Sequence, residues 1–191
     1  MNEDSTNILF FDTETTGIPD WKKPSHFKTQ PHIVQLAVIL SDENRETIGE
    51  LNVIVRPDGW TIPQETIDVH GITNEQAMDE GFAEIDALQM FIDLYQQCGL
   101  RVAHNTTFDN RIIRIALLRY MRDLIEDDEW KARDLYYCTL MNSKKIMGGK
   151  SGHTLPEALK HFTGEELVDA HSAMGDTIGC QKLYYGIQDQ A

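Results

Sequence analysis

Asp12 and Glu14 stand two residues apart at the end of the apolar run Ile8-Leu9-Phe10-Phe11. Four bulky apolar residues in a row suit a strand covered on both faces. Residues two apart on a strand point the same way, so the two carboxylates share a face. Gly17 permits a turn just beyond them. Paired carboxylates at the end of a buried strand repel each other and are costly to desolvate. A divalent cation removes that cost, and oxygen-only ligands favour Mg2+ or Mn2+. The plainer alternative is a solvated strand end carrying two acids.

Two more aspartates occupy positions where a core residue is expected. The apolar stripe Ile112, Ile113, Ala116, Tyr120 begins, one turn back, at Asp109. The stripe Cys180, Leu183, Ile187 of the closing helix includes Asp176 when projected back. Either acid alone is explained by a helix start, where the dipole favours negative charge. Four acids directed inward from three elements are unstable unless they converge on cations. His171 lies on the loop ahead of Asp176, and an imidazole there can take a proton from an attacking water near neutral pH. A solvated loop histidine is the commoner case.

These side chains need elements to hold them. Ile8 to Glu14, His32 to Leu40 and Thr47 to Arg56 read as three strands of an antiparallel meander. Pro63 can open a short helix, Gly71 can end it, and Thr73 can cap the next. Ala83 to Cys98 and Phe108 to Tyr120 have helical period, with Leu100 to His104 a strand between them. The polar stretch Leu124 to Arg133 links or extends the second helix, and Leu135 to Leu140 reads as a last strand. Leu155 to Phe162, capped by Thr154, and Ser172 to Ile187 are the final helices. Strands in a meander, followed by strands alternating with helices, predict an α/β domain with one mixed sheet. No boundary divides residues 1 to 191, so a single domain is expected.

The chain has 191 residues, 41% hydrophobic and 25% charged, with a formal net charge of −14. That charge argues against a general nucleic-acid binder, although local charge and bound metal set the field at a site. Two stretches are basic and free of acids: Trp21 to His32, with Lys22, Lys23 and Lys28, and Asn142 to His153, with Lys144, Lys145 and Lys150. Both read as loops from their Pro, Gly and Ser content, and one or both could touch a phosphate backbone. No apolar run approaches a membrane span and the N-terminus is not a signal peptide, so no membrane partner is expected. Cys98, Cys138 and Cys180 lack metal-ligand spacing and read as reduced, buried thiols of a cytoplasmic protein.

Three motifs in order carry a resemblance: Phe11-Asp12-Thr13-Glu14-Thr15-Thr16-Gly17, Ala103-His104-Asn105-Thr106-Thr107-Phe108-Asp109, and His171-Ser172-Ala173-Met174-Gly175-Asp176. Val69-His70-Gly71-Ile72-Thr73 supports them. Together they resemble the DEDDh family of 3′–5′ exonucleases, the DnaQ-like proofreading and RNase T type. The resemblance implies a ribonuclease H-like fold with a mixed five-stranded sheet flanked by helices. It implies two Mg2+ or Mn2+ ions, with Asp12 bridging both, Glu14 and Asp176 as further ligands, and Asp109 as an outer carboxylate. It makes His171 the general base. Thr15, Thr16 and Gly17 at the turn, together with His70, Asn105 and Phe108, become contacts to the terminal nucleotide. Two features depart from the family: the loop Ile18 to His32 is long, and Gln35 stands where many relatives carry glutamate.

The expected activity is metal-dependent hydrolysis from the 3′ end of single-stranded nucleic acid, DNA first, releasing nucleoside 5′-monophosphates. An exoribonuclease of the RNase T or oligoribonuclease type is the alternative on RNA ends. A non-catalytic module associated with a DNA polymerase is the rival from another class, opposed by the presence of all four acids and the histidine. The closing helix nearly ends the chain, which favours a free-standing enzyme over a tethered polymerase partner.

Overall fold

A computed structural model describes residues 2, 5–122, 124, 130 and 135–190. Five strands form one mixed sheet: β1 (Ile8–Thr15), β2 (Ile33–Ser41), β3 (Thr47–Ile54), β4 (Leu100–Ala103) and β5 (Tyr136–Cys138), in the order β3-β2-β1-β4-β5. The first three pair antiparallel, while β4 runs parallel to both β1 and β5. The helices are α1 (Gln64–His70), α2 (Asn74–Glu80), α3 (Glu84–Tyr95), α4 (Thr106–Tyr120), α5 (Thr139–Met147), α6 (Leu155–Thr163) and α7 (Ala173–Gln188). This is the expected α/β architecture. Most of the stretch from Leu124 to Arg133 lies outside the described residues.

Alternation along β1 divides the core. Leu9 and Phe11 point to one face, where they pack with Phe91 and Ile92 of α3 and Ile112 and Ile113 of α4. Phe10 points to the other, packing with Leu159 and Phe162 of α6 and Leu183 and Ile187 of α7. The central strand is thus buried on both sides, which is why its apolar residues run without a break. Helix ends follow the sequence signals. Gly71 stops α1 at φ +77°, the Thr73 side chain accepts from Gln76 N–H, and Thr154 with Glu157 forms a capping box on α6.

Two sequence readings are corrected. Thr139–Met147 is helical, so the second basic stretch is half helix and half turn, and the last strand stops at Cys138. Pro and Gly are absent until Gly148, which leaves nothing to break a helix before it. Arg111, Arg114 and Arg119 of α4 hold the long loop between β1 and β2. Arg111 donates to the Lys23 carbonyl at 2.6 Å, Arg114 to Ser25 Oγ, and Arg119 to the Gln30 and Pro31 carbonyls at 3.0 and 3.1 Å. Gln30 is only 2% exposed and donates to three loop carbonyls. A 17-residue connection between buried strands leaves many carbonyls without ladder partners, and these side chains supply them. Buried Glu84 fixes the loop's far end, accepting from His32 at 2.7 Å, Ile33 N–H at 3.0 Å and Tyr120 Oη at 2.9 Å.

Candidate active site

Asp12 and Glu14 follow the parity of Phe10, so they leave β1 on the side covered by α7. Asp176 lies in the first turn of α7. The three carboxylates meet there, with one oxygen of each lying within 4.8 Å of the others. Thr13 has the opposite parity and faces α4, where it meets the fourth acid. Asp109 is 2% exposed, and its Oδ1 accepts from Thr13 N–H at 3.2 Å and from Thr13 Oγ1 at 2.8 Å. Three of the expected acids therefore form one oxygen cluster. The fourth reaches the strand from the other face, bonded to the residue between the paired carboxylates.

The electrostatics are those of crowded anions. Burial, then the charges of Asp109, Asp176 and Glu14, raise the Asp12 pKa well above the ordinary carboxylate value. Burial and the same neighbours push Glu14 up to about 7. Burial pushes Asp109 to about 7 as well, against the lowering effect of its bonds to Thr13. Burial also raises Asp176, opposed by the charge and backbone of His171. The cluster has the donor set of a hard-cation site: oxygen only, preformed, and with burial and mutual repulsion outweighing the compensation from His171. Divalent cations fit it, with Asp12, Glu14 and Asp176 as the residues that would hold them.

His171 is exposed and sits just ahead of α7 with φ +66°. Asp169, two residues earlier, is also left-handed at φ +54°. This bent loop lies tight on the first turn of α7, for a Cβ added at Gly175 would approach the Asp169 carbonyl oxygen to 2.3 Å. Gly175 thereby lets the histidine loop close against the helix that carries Asp176.

The expected nucleotide contacts divide into two kinds. Thr15 Oγ1 donates to the Gly17 carbonyl at 2.8 Å, and Thr16 exchanges hydrogen bonds with His32, so both hydroxyls shape the turn itself. Gly17, at φ +148°, has open space where a Cβ would stand. Asn105 is exposed and left-handed at φ +65°, a conformation asparagine tolerates, at the entry to α4. Phe108 is half-buried against the core. His70 closes α1 and accepts from Ile72 N–H through Nδ1 at 3.1 Å, while its Nε2 is buried without a partner among the described residues.

Gln35 is the residue the sequence flagged only as a departure. It pairs with Glu14 in the β1–β2 register, so its side chain leaves the sheet on the α7 side. Its Oε1 accepts from Ala173 N–H at 3.0 Å and its Nε2 donates to Asn52 Oδ1 at 2.9 Å. It thus links the start of α7, between His171 and Asp176, to the strand beside Glu14. Substituting Gln35→Met should lower kcat roughly 10-fold with little change in KM, because α7 loses its registration while substrate contacts remain. Gln35→Glu keeps the acceptor and should recover most of the loss. Equal kcat for Gln35→Met and the unaltered protein in steady-state assays would dismiss this positioning role.

A family model described as exonuclease matches residues 9–184. A curated relative, the DNA polymerase III subunit epsilon-like protein of Rhodobacter capsulatus, is 29% identical over 185 residues, covering 95% of this chain and 23% of the relative. Among solved structures, E. coli exonuclease I bound to a dT13 oligonucleotide superposes with a TM-score of 0.72 at 21% identity, over 96% of this chain and 42% of that one. Exonuclease I from Methylocaldum szegediense gives 0.71 at 20% identity, over 96% and 40%. These two likenesses concern the fold. The chain spans less than half the length of each of these proteins.

Proposed function

Because the chain belongs to the exonuclease family whose model spans most of it, we propose that it is a metal-dependent 3′–5′ exonuclease acting on single-stranded nucleic acid. The observation that carries this reading is the cluster of Asp12, Glu14 and Asp176, three carboxylates within 4.8 Å on two elements far apart in sequence. DNA is the first substrate to test, since exonuclease I structures of the same fold hold dT13 and dA16 oligonucleotides. The epsilon-like relative makes association with a DNA polymerase a secondary proposal.

In this reading Asp12, Glu14 and Asp176 would hold two divalent cations, Mg2+ or Mn2+. When bound, such ions activate a water and neutralise charge developing on the phosphate and on the leaving 3′ oxygen. The work of the chain's own residues follows from their positions. Asp109 holds Thr13, and with it the segment of β1 that carries Asp12 and Glu14, from the opposite face. It adds negative charge behind the cluster and acts as the outer carboxylate. His171, exposed on its loop beside Asp176, accepts the proton of the attacking water. The Thr15–Gly17 turn admits the terminal nucleotide, and Phe108 offers a ring on which its base stacks. Four carboxylates nearly neutralise two divalent cations, so a phosphodiester can approach.

Incubation with labelled single-stranded DNA and RNA tests the reading. Mg2+ should give a ladder shortened from the 3′ end with nucleoside 5′-monophosphates as product, and EDTA should abolish it. Failure to release any mononucleotide from either polymer would overturn the assignment. His171→Ala should lower kcat by about 10²–10⁴-fold with KM nearly constant, the range for a lost general base. A rise in KM with kcat unchanged would instead mark His171 as a binding residue.

A further inference from the structure

We propose that α5 and the turn after it form a phosphate-binding ledge, through Lys144, Lys145 and Lys150, for single-stranded nucleic acid upstream of the 3′ end. This deepens the exonuclease reading and rests on it.

Location comes first. β1, β4 and β5 run parallel, so their carboxyl ends lie at one end of the sheet, where Asp12 and Glu14 are. α5 starts at Thr139, immediately past β5. Thr139 Oγ1 lies 3.7 Å from Cys180 Sγ, and Cys180 stands one helical turn after Asp176 on α7. The first turn of α5 is therefore next to the floor of the carboxylate site.

One residue then ties both ends of the ledge to the site. Burial holds the His104 pKa down at about 4, so its ring is neutral at pH 7. A carbonyl can only accept, so His104 Nε2–H donates to the His153 carbonyl at 3.2 Å. Nδ1 is left to accept from Thr139 Oγ1 at 3.0 Å. His104 directly precedes Asn105, which leads into α4 and Asp109. The segment from Thr139 to His153 is a closed flap, anchored where the terminal nucleotide is expected.

Charge decides which of the two basic stretches does this work. No acid occurs from residue 135 to residue 156. Lys144 Nζ donates to the Lys150 carbonyl at 2.8 Å and Lys145 Nζ to Asn142 Oδ1 at 3.1 Å, both neutral oxygens. Their charges remain available, and Lys145 and Lys150 are exposed. In the other stretch Lys23 forms an ion pair at 3.1 Å with Asp20, which directly precedes that stretch, and the loop is fastened down on α4. On a chain of net charge −14 a polyanion needs a local cationic anchor, and α5 with its turn offers three lysines that pair with no acid among the described residues.

The test pairs a long substrate with a small one. Lys145→Glu combined with Lys150→Glu should raise KM for a single-stranded 20-mer about 10-fold near 0.1 M salt. It should also flatten the dependence of log KM on log salt by about 1.4, given about 0.7 per phosphate contact on single strands. Hydrolysis of a p-nitrophenyl ester of thymidine 5′-monophosphate, which reaches no further than the site, should be unchanged. Lys145→Gln with Lys150→Gln should give a smaller effect in the same direction. Unaltered KM and salt slope on the 20-mer would overturn the ledge. Fluorescence anisotropy of the labelled 20-mer in EDTA reads binding without turnover. A roughly 10-fold weaker Kd for the Glu variant supports the ledge, and an equal Kd rejects it, even if the unaltered protein proves inactive and the exonuclease reading itself fails.

Discussion

Replacing Asp12 with asparagine is expected to lower exonuclease turnover by about 10³-fold or more while raising the melting temperature of the metal-free protein. The two effects have one cause. Asp12 is the carboxylate on which Asp109, Asp176 and Glu14 all press, in a site that also desolvates it. An amide of the same shape removes that repulsion and stabilises the apo fold, by roughly 1–2 kcal/mol or about 2–8 °C at pH 8. It also removes the charge best placed to hold cations, so stabilisation of the transition state is lost. Thermal melts in EDTA and single-turnover assays in Mg2+ read the two sides separately. A variant that loses activity but melts lower than the unaltered protein would point to disrupted packing instead. One that keeps full activity would remove Asp12 from the chemistry.

The second large effect is the pH dependence of stabilisation by cations. Burial and neighbouring charge push Glu14 up to about 7 in the folded chain against 4.5 when unfolded, and burial pushes Asp109 to about 7 against 3.8. Between those values the folded state holds protons that the unfolded state has released. Stability of the metal-free protein therefore falls as pH rises from 3.8 to about 7, and the full cost is present above 7. Divalent cations bind the ionised carboxylates and cancel that cost. At 100 times its Kd a cation bound only to the folded state contributes about 2.7 kcal/mol, which is roughly 5–10 °C for a chain of this size. Mn2+ or Mg2+ should thus raise the melting temperature by that amount at pH 8 and by much less at pH 5.5. A larger gain at the acid pH, or none at pH 8, contradicts a carboxylate cage.

Much of this site was legible because its signals are local periods. The two-residue spacing of Asp12 and Glu14 forces them onto one face of β1 whatever surrounds the strand. Helical period placed Asp109 and Asp176 on inward stripes, and both are turned in toward the sheet, Asp109 fully buried and Asp176 partly so. The capping signals at Thr73 and Thr154 act within one turn and so read directly from the chain. The motif resemblance named the family that the comparison with exonucleases then showed.

What the sequence by itself determined, then, was the sheet-and-helix order, the strand pair of carboxylates and the two helical acids. Tertiary structure decided how they are joined. It brought Asp176 to the face of Glu14 and Asp12, and set Asp109 on the opposite face against Thr13. It gave Gln35 its partner 138 positions away, turned three arginines into loop fasteners, and closed α5 back onto His104. The physical reason is that period fixes only the direction in which a side chain leaves its element. The identity of the atom it meets depends on which distant segment packs there, and a polar group has several acceptable partners until the packing leaves it one.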